Sequence, residues 1–242
     1  MATTPTPTSG RVPRGTPQVT AQEAHRNALL LTGERLPVDP IGVLKASSPV
    51  PIPAEPGEQC DAFLTRILRP GQLYNLIASD RARPEFPGPT FQTEELLCPE
   101  YKGAIPSVAP GGFLRFNPVV GQGSGKLGCH CDRDIAGFDY VLIESDALHL
   151  DLQATLLLKL LDLGFPIVSA VHTGGKSIHA LIRISARDHD EFRTLARRVY
   201  ARLVRLGFDP STSNPSRMTR LPGCLRTFPD KSTALQKLLY LA

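Results

Sequence analysis

An α+β fold is predicted for this 242-residue chain by three observations. Residues 140–146, 165–173 and 177–184 are β-branched and aliphatic runs of strand length. Residues 150–163 and 190–206 repeat apolar side chains at helical spacing. Strand, helix, strand hairpin, helix and a further strand at 206–209 then follow one another, an order that suits a sheet covered on one face. With 41% hydrophobic residues the chain has enough apolar surface for one sizeable core or two small lobes.

Each element has a local reason. Residues 1–20 are rich in Thr and Pro, lack acidic side chains and show no apolar period, which predicts a disordered tail. The prolines also spoil the amphipathic helix a transit peptide needs. Helices are predicted over 21–34 and 58–69, separated by a proline-rich stretch from Ser47 to Pro56. Residues 70–112 are irregular and complete an N-terminal lobe spanning 21–110, leaving a second unit at 111–242. The leucine-rich helix from Leu150 ends at Gly164, a residue suited to the left-handed turn after a helix. Gly174 and Gly175 mark the hairpin. The helix over 190–206 turns Phe192, Leu195, Val199, Leu203 and Leu206 inward. Its arginines belong to a group of ten between Arg183 and Arg226. They form either a solvated face or a salt-sensitive contact with a nucleic-acid backbone. Net charge is only +4, well short of a uniformly basic coat. No secretory segment or membrane-length apolar run appears, so a soluble cytoplasmic protein is expected.

Chemistry gathers where the apolar runs end. Glu144 and Asp146 are separated by one residue at a strand end, so they share a face. Two carboxylates that close repel unless a cation lies between them, and hard divalent ions take oxygen ligands of this kind. Ser177 and His179 share a face of the next strand, with Ile178, Ala180, Ile182 and Ile184 on the other. Beside Lys176 and the glycine amides, they can clamp a triphosphate by charge-assisted hydrogen bonds. Asp209 ends an apolar segment and can return to complete a carboxylate triad. Arg217 and Arg220 follow, and arginine binds phosphate in a planar fork.

This ordered set resembles the archaeo-eukaryotic primase superfamily, in particular the primase–polymerase domains of phage and prophage replication proteins. The paired acids at Glu144 and Asp146 match its first motif, although many relatives carry two aspartates. Ser177 and His179 match its second, SxH. Asp209 matches its third, hydrophobic-Asp. The run from Asn214 through Arg217 and Arg220 to Gly223 adds to the likeness, as do Arg115, Asn117 and Pro118 upstream. The resemblance covers roughly residues 110–240 and continues faintly over 38–110. It implies a polymerase palm with an RRM-like sheet. Glu144, Asp146 and Asp209 would hold two divalent ions, Mg²⁺ or Mn²⁺, about 3.5–4 Å apart. Ser177, His179 and Lys176 would bind the incoming NTP or dNTP. Arg115, Arg217 and Arg220 would contact phosphate or template, and Asn117 and Asn214 would lie near the nucleotide. Single-stranded DNA template, primer and a fused or associated replicative helicase are the implied partners, and primer synthesis or extension the implied function.

Other chemistry fits less well. Gly175, Lys176 and Ser177 suggest a P-loop, yet Ala170 stands where its first glycine belongs. Cys129, His130 and Cys131, with Cys98 upstream, suggest zinc, but the spacing is not that of structural sites. Five cysteines in a cytosolic chain read as free thiols. Two rivals stay open. A divalent-metal nuclease could use the three carboxylates but has little need of a triphosphate clamp. A non-catalytic replication-initiator module would bind DNA through its arginines.

Overall fold

Side-chain caps set the helix starts in the computed structural model, which describes residues 19–33, 37–79 and 87–242. All but the last two residues of the expected tail lie outside the described residues. Helix α1 (Ala21–Thr32) opens where the Thr20 hydroxyl accepts the Glu23 amide and the Glu23 carboxylate accepts the Thr20 amide. Asp39 caps α2 (Pro40–Ala46) through the Gly42 amide. Helix α3 (Pro56–Ile67) places proline in its first turn, where the missing N–H is no loss. Helices α4 (Thr93–Leu96) and α5 (Ile105–Val108) are single turns. Helix α6 (Leu150–Asp162) ends as expected at Gly164, φ 77°. There the Phe165 amide reaches the Leu160 carbonyl and the Gly164 amide that of Leu161. Asp188 caps α7 (His189–Leu203) through the amides of Asp190 and Glu191. The buried stripe of α7 is Phe192, Ala196, Tyr200 and Leu203; Leu195 and Val199, expected inward, flank it half-buried.

The strands are β1 (Leu73–Ile77), β2 (Thr90–Gln92), β3 (Phe113–Arg115), β4 (Phe138–Ile143), β5 (Ile167–His172) and β6 (Ile178–Ala186). They continue with β7 (Met218–Arg220), β8 (Leu225–Thr227), β9 (Thr233–Leu235) and β10 (Lys237–Leu241). One antiparallel sheet runs β2-β1-β3-β7 and a second β10-β5-β6-β4, while β8 and β9 form a separate hairpin. In the second sheet, alternation sends Val141, Ile143, Ile178, Ala180 and Ile182 into one core with α1, α2, α6 and α7. Tyr140, Leu142, Val168, Val171, Leu181 and Leu238 point the other way, into a core shared with α3 and with Leu76, Leu114 and Phe116. Phe63, Phe116 and Phe192 are fully buried. A side chain of this class contributes about 1.5–3 kcal/mol on burial.

Two sequence expectations are corrected. The second sheet is covered on both faces, by helices on one and by the first sheet with α3 on the other. Residues 206–209 are not a strand: a 3₁₀ turn at Val204–Leu206 leads through Gly207, φ 90°, to Asp209. Pro210, with no N–H to give, opens another such turn, and β10 supplies the fourth strand instead. The described part of 21–110 also shares both cores with 111–242, since α1 and α2 pack on α6 and β1 pairs with β3. The two sheets and the turns after α7 frame the cleft that holds the candidate site.

Candidate active site

A cleft of about 550 Å³ opens between the ends of the two sheets. Leu142, Glu144 and Asp146 line it from β4 and the residues after it, and Ser177 and His179 from the start of β6. Phe113, Arg115, Met218 and Arg220 line it from β3 and β7. Two loops close it, one carrying His130 and the other Asp209, Ser211, Asn214, Ser216 and Arg217.

Glu144 continues the face of β4 that carries Tyr140 and Leu142, and His179 lies on the matching face of β6. They meet with His179 Nε2 2.8 Å from Glu144 Oε2. The Arg220 amide donates to His179 Nδ1 at 3.3 Å, so Nδ1 is the acceptor and Nε2 carries the proton toward Glu144. Burial raises the Glu144 carboxyl, but the hydrogen bond and favourable electrostatics of His179, with help from Arg217, outweigh burial and the repulsion of Asp146. The net effect holds Glu144 below the ordinary glutamate value. Asp146 accepts the Ser177 hydroxyl at 2.6 Å and has Lys176 Nζ at 3.4 Å. Asp209 accepts the Ser211 amide at 2.8 Å and the Ser211 hydroxyl at 2.6 Å. Its own amide donates to the Glu144 carbonyl at 2.9 Å, which seats the third acid beside the first although no strand is there.

Two buried side chains set this arrangement, and the sequence reading missed both. Gln153 of α6 accepts the Ile178 amide at 2.8 Å and donates to the carbonyls of Lys176 and Leu148 at 2.8 and 2.7 Å. It thereby fixes the backbone that presents Lys176 and Ser177. Tyr200 of α7 donates to the Leu142 carbonyl and also bonds the Thr212 hydroxyl, tying the turn after Asp209 to the end of β4. Read as a helix interior, Gln153 and Tyr200 carry no signal of either task.

The cationic wall is unevenly committed. Arg220 is 2% exposed, donates to the carbonyls of Gly111 and Ser79 and stacks 3.6 Å from the Phe113 ring centroid. Its guanidinium thus serves the first sheet as well as the cleft. Arg115 is 4% exposed and its Nε has no hydrogen-bond partner. Burial lowers the Arg115 guanidinium to about 10, with Cys129, Asp132, Asp134 and Cys131 pulling the other way, so it remains charged at neutral pH. Arg217 donates to the Ser211 carbonyl, and its Nε is likewise buried without a partner. A buried cation with unused donors is costly, and an anionic ligand removes that cost.

The two asparagines are placed differently. Asn214 lines the cleft and donates to Asp132 at 3.0 Å, which joins its loop to the one carrying His130. Asn117 is not among the residues lining the cleft. It is fully buried, accepts the amides of Asp139 and Tyr140 and donates to the carbonyls of Tyr140 and Pro215. All four of its bonding positions are used to clamp β4 to the loop before β7.

Among the described residues, no three His, Cys, Asp or Glu side chains converge into a ready-made metal cage. The expected zinc candidates do not form one either: His130 Nε2 faces the carbonyls of Val120 and Gly121 at 3.2 and 3.1 Å. The donor set of Glu144, Asp146 and Asp209 nonetheless suits the chemistry of a hard divalent ion, being three carboxylates that line one cleft.

No protein-family model matches the chain. No curated protein sequence matches it. The structure is similar to three solved ones. The archaeo-eukaryotic primase domain of the cyanophage S-2L primase-polymerase is 22% identical, with a TM-score of 0.48 over 78% of this chain and 92% of that one. Primase RepB′ is 12% identical, with a TM-score of 0.48 over 75% of this chain and 56% of that one. The catalytic domain of RepB′ in complex with initiator DNA is 13% identical, with a TM-score of 0.48 over 77% of this chain and 86% of that one.

Proposed function

We propose that the chain is a DNA-templated nucleotidyltransferase, a primase–polymerase that makes or extends primers on single-stranded DNA. The observation that carries this reading is one cleft lined by three carboxylates and by arginines with unused donors. Glu144, Asp146 and Asp209 line it together with the buried Arg115 and the half-buried Arg217, each of which has a buried Nε without a hydrogen-bond partner. That polarity matches a nucleoside triphosphate bound through divalent metal. Bound by the three carboxylates, Mg²⁺ or Mn²⁺ would supply Lewis-acid stabilisation at the α-phosphate and the departing pyrophosphate.

The remaining work falls to the protein. Arg115 and Arg217 present fixed donors to phosphate oxygens, and Lys176 adds a mobile positive charge at the rim. Ser177 and His179 hold Asp146 and Glu144 in place, and both line the cleft where a triphosphate would lie. Phe113 and Met218 give the cleft an apolar surface near its arginines. A nuclease would use the carboxylates but has little need of the triphosphate clamp that Lys176, Ser177 and His179 offer beside them.

The deciding experiment is product analysis on single-stranded DNA with Mg²⁺ or Mn²⁺, separate NTP and dNTP pools, and reactions with and without primer. Asp146→Ala is expected to abolish synthesis while the protein stays folded and still binds DNA. Undiminished extension by folded Asp146→Ala would refute the metal assignment, and template shortening would favour the nuclease.

A further inference from the structure

We propose that His130 reads a sugar hydroxyl of the bound nucleotide, and so takes part in selecting the substrate's sugar. This inference rests on the triphosphate reading of the cleft. His130 lines that cleft and is 7% exposed. Its Nε2 faces two acceptors, the carbonyl oxygens of Val120 and Gly121 at 3.2 and 3.1 Å, so Nε2 must carry hydrogen. In the neutral ring Nδ1 is then left with a lone pair and can only accept. Yet Nδ1 is buried and has no partner. A buried acceptor without a donor is costly, and a ligand that brings the donor removes that cost.

The loop that carries His130 is constructed to hold this ring still. Its ends are closed by the bridge between Val119 and Ile135 and by the Val120 amide on the Asp134 carbonyl. Inside, the buried Asp134 carboxylate accepts the amides of Ser124 and Cys131 and the Ser124 hydroxyl. Asp132 accepts the Asn214 amide nitrogen at 3.0 Å and the Ser216 hydroxyl at 2.5 Å, which fastens the loop to the opposite rim. A Cβ on Gly123 would come within 2.3 Å of the Gly128 carbonyl oxygen, so the loop also packs tightly on itself. The chemistry available to the ligand follows. Arg115 and Arg217 have donors to give and therefore face anionic oxygen; His130 has a lone pair to offer and therefore faces a hydroxyl. Phosphate and hydroxyl together are the sugar–phosphate of a nucleotide.

Direct binding of ATP, 2′-deoxy-ATP and 3′-deoxy-ATP, measured calorimetrically with Mn²⁺ present, tests the assignment on His130→Gln. Gln Nε2 can keep the contacts to the two carbonyls while no acceptor remains at the Nδ1 position. One lost hydrogen bond predicts affinity for ATP reduced roughly fivefold. The deoxy analogue that lacks the recognised hydroxyl should bind wild type and variant equally, which names that hydroxyl. His130→Phe should show the same selectivity if the loop folds, and an unfolding scan reports whether it does. Equal weakening of all three nucleotides, or no weakening of any, would overturn the role of His130 while leaving the triphosphate reading standing. Failure of wild type to bind any of the three would instead remove that reading.

Discussion

His179 serves the cleft through both ring nitrogens. Nε2 holds Glu144, while Nδ1 accepts the Arg220 amide from the neighbouring sheet. Its removal is expected to weaken nucleotide affinity more than template affinity, and parallel titrations of nucleotide and labelled single-stranded DNA with His179→Ala check this; equal losses would count against a triphosphate role. Glu144 gives a pH prediction with a definite sign. Its folded value lies below the ordinary 4.5. Stability from its ionised form is therefore fully present above 4.5 and is lost as pH falls through the folded value. Wild type should be more stable than Glu144→Gln at neutral pH, with the gap closing in acid. Thermal unfolding of both proteins across that range measures it, and a gap independent of pH would contradict a stabilising ionised Glu144.

At the scale of single elements, α6 and α7 do more than cover the sheet. Gln153 projects from α6 to the backbone around Lys176 and Ser177, and Tyr200 projects from α7 to the end of β4. Gln153→Leu keeps the volume but strands the Ile178 amide and two carbonyls in a buried place. It should cost at least about 2 kcal/mol in chemical denaturation, because unsatisfied buried groups lose their full solvation. The same change should raise KM for nucleotide if Ser177 and Lys176 lose their position. Unchanged stability would mean that water reaches those groups. The hairpin glycine, the Gly164 stop and the two strand faces were all legible in local sequence because each depends on residues within a few positions. Gln153 was not, since the two partners at the site, Lys176 and Ile178, are 23 and 25 residues away.

Across the whole molecule, the second sheet separates two environments. Its helical face carries α7, whose Arg197, Arg198 and Arg202 are exposed, while the cleft lies on the other face. Of the two readings of those arginines, the placement favours a solvated face. Charge reversal at Arg198 and Arg202 is expected to leave nucleotide affinity unchanged and to alter single-stranded DNA affinity by less than about twofold, the scale of surface charge effects screened by salt. Fluorescence anisotropy at two salt concentrations checks it, and a large salt-dependent loss would place template on the helical face. No helix among the described residues is long and apolar enough to cross a membrane.

By itself the sequence determined where the candidate residues stand along the chain. Acids, the Ser–His pair and arginines follow apolar runs, and strand alternation pairs Glu144 with Asp146 and Ser177 with His179. Tertiary structure decided how they are used. It brought Asp209 beside Glu144 through a single backbone bond rather than a strand, and committed Asn117 entirely to clamping β4. It also left Arg115, Arg217 and His130 with buried atoms lacking partners. Hydrogen-bond satisfaction depends on residues far apart in the chain, whereas periodicity depends on neighbours. Local patterning could therefore find the wall of the cleft, but only packing could reveal which of its groups still await a ligand.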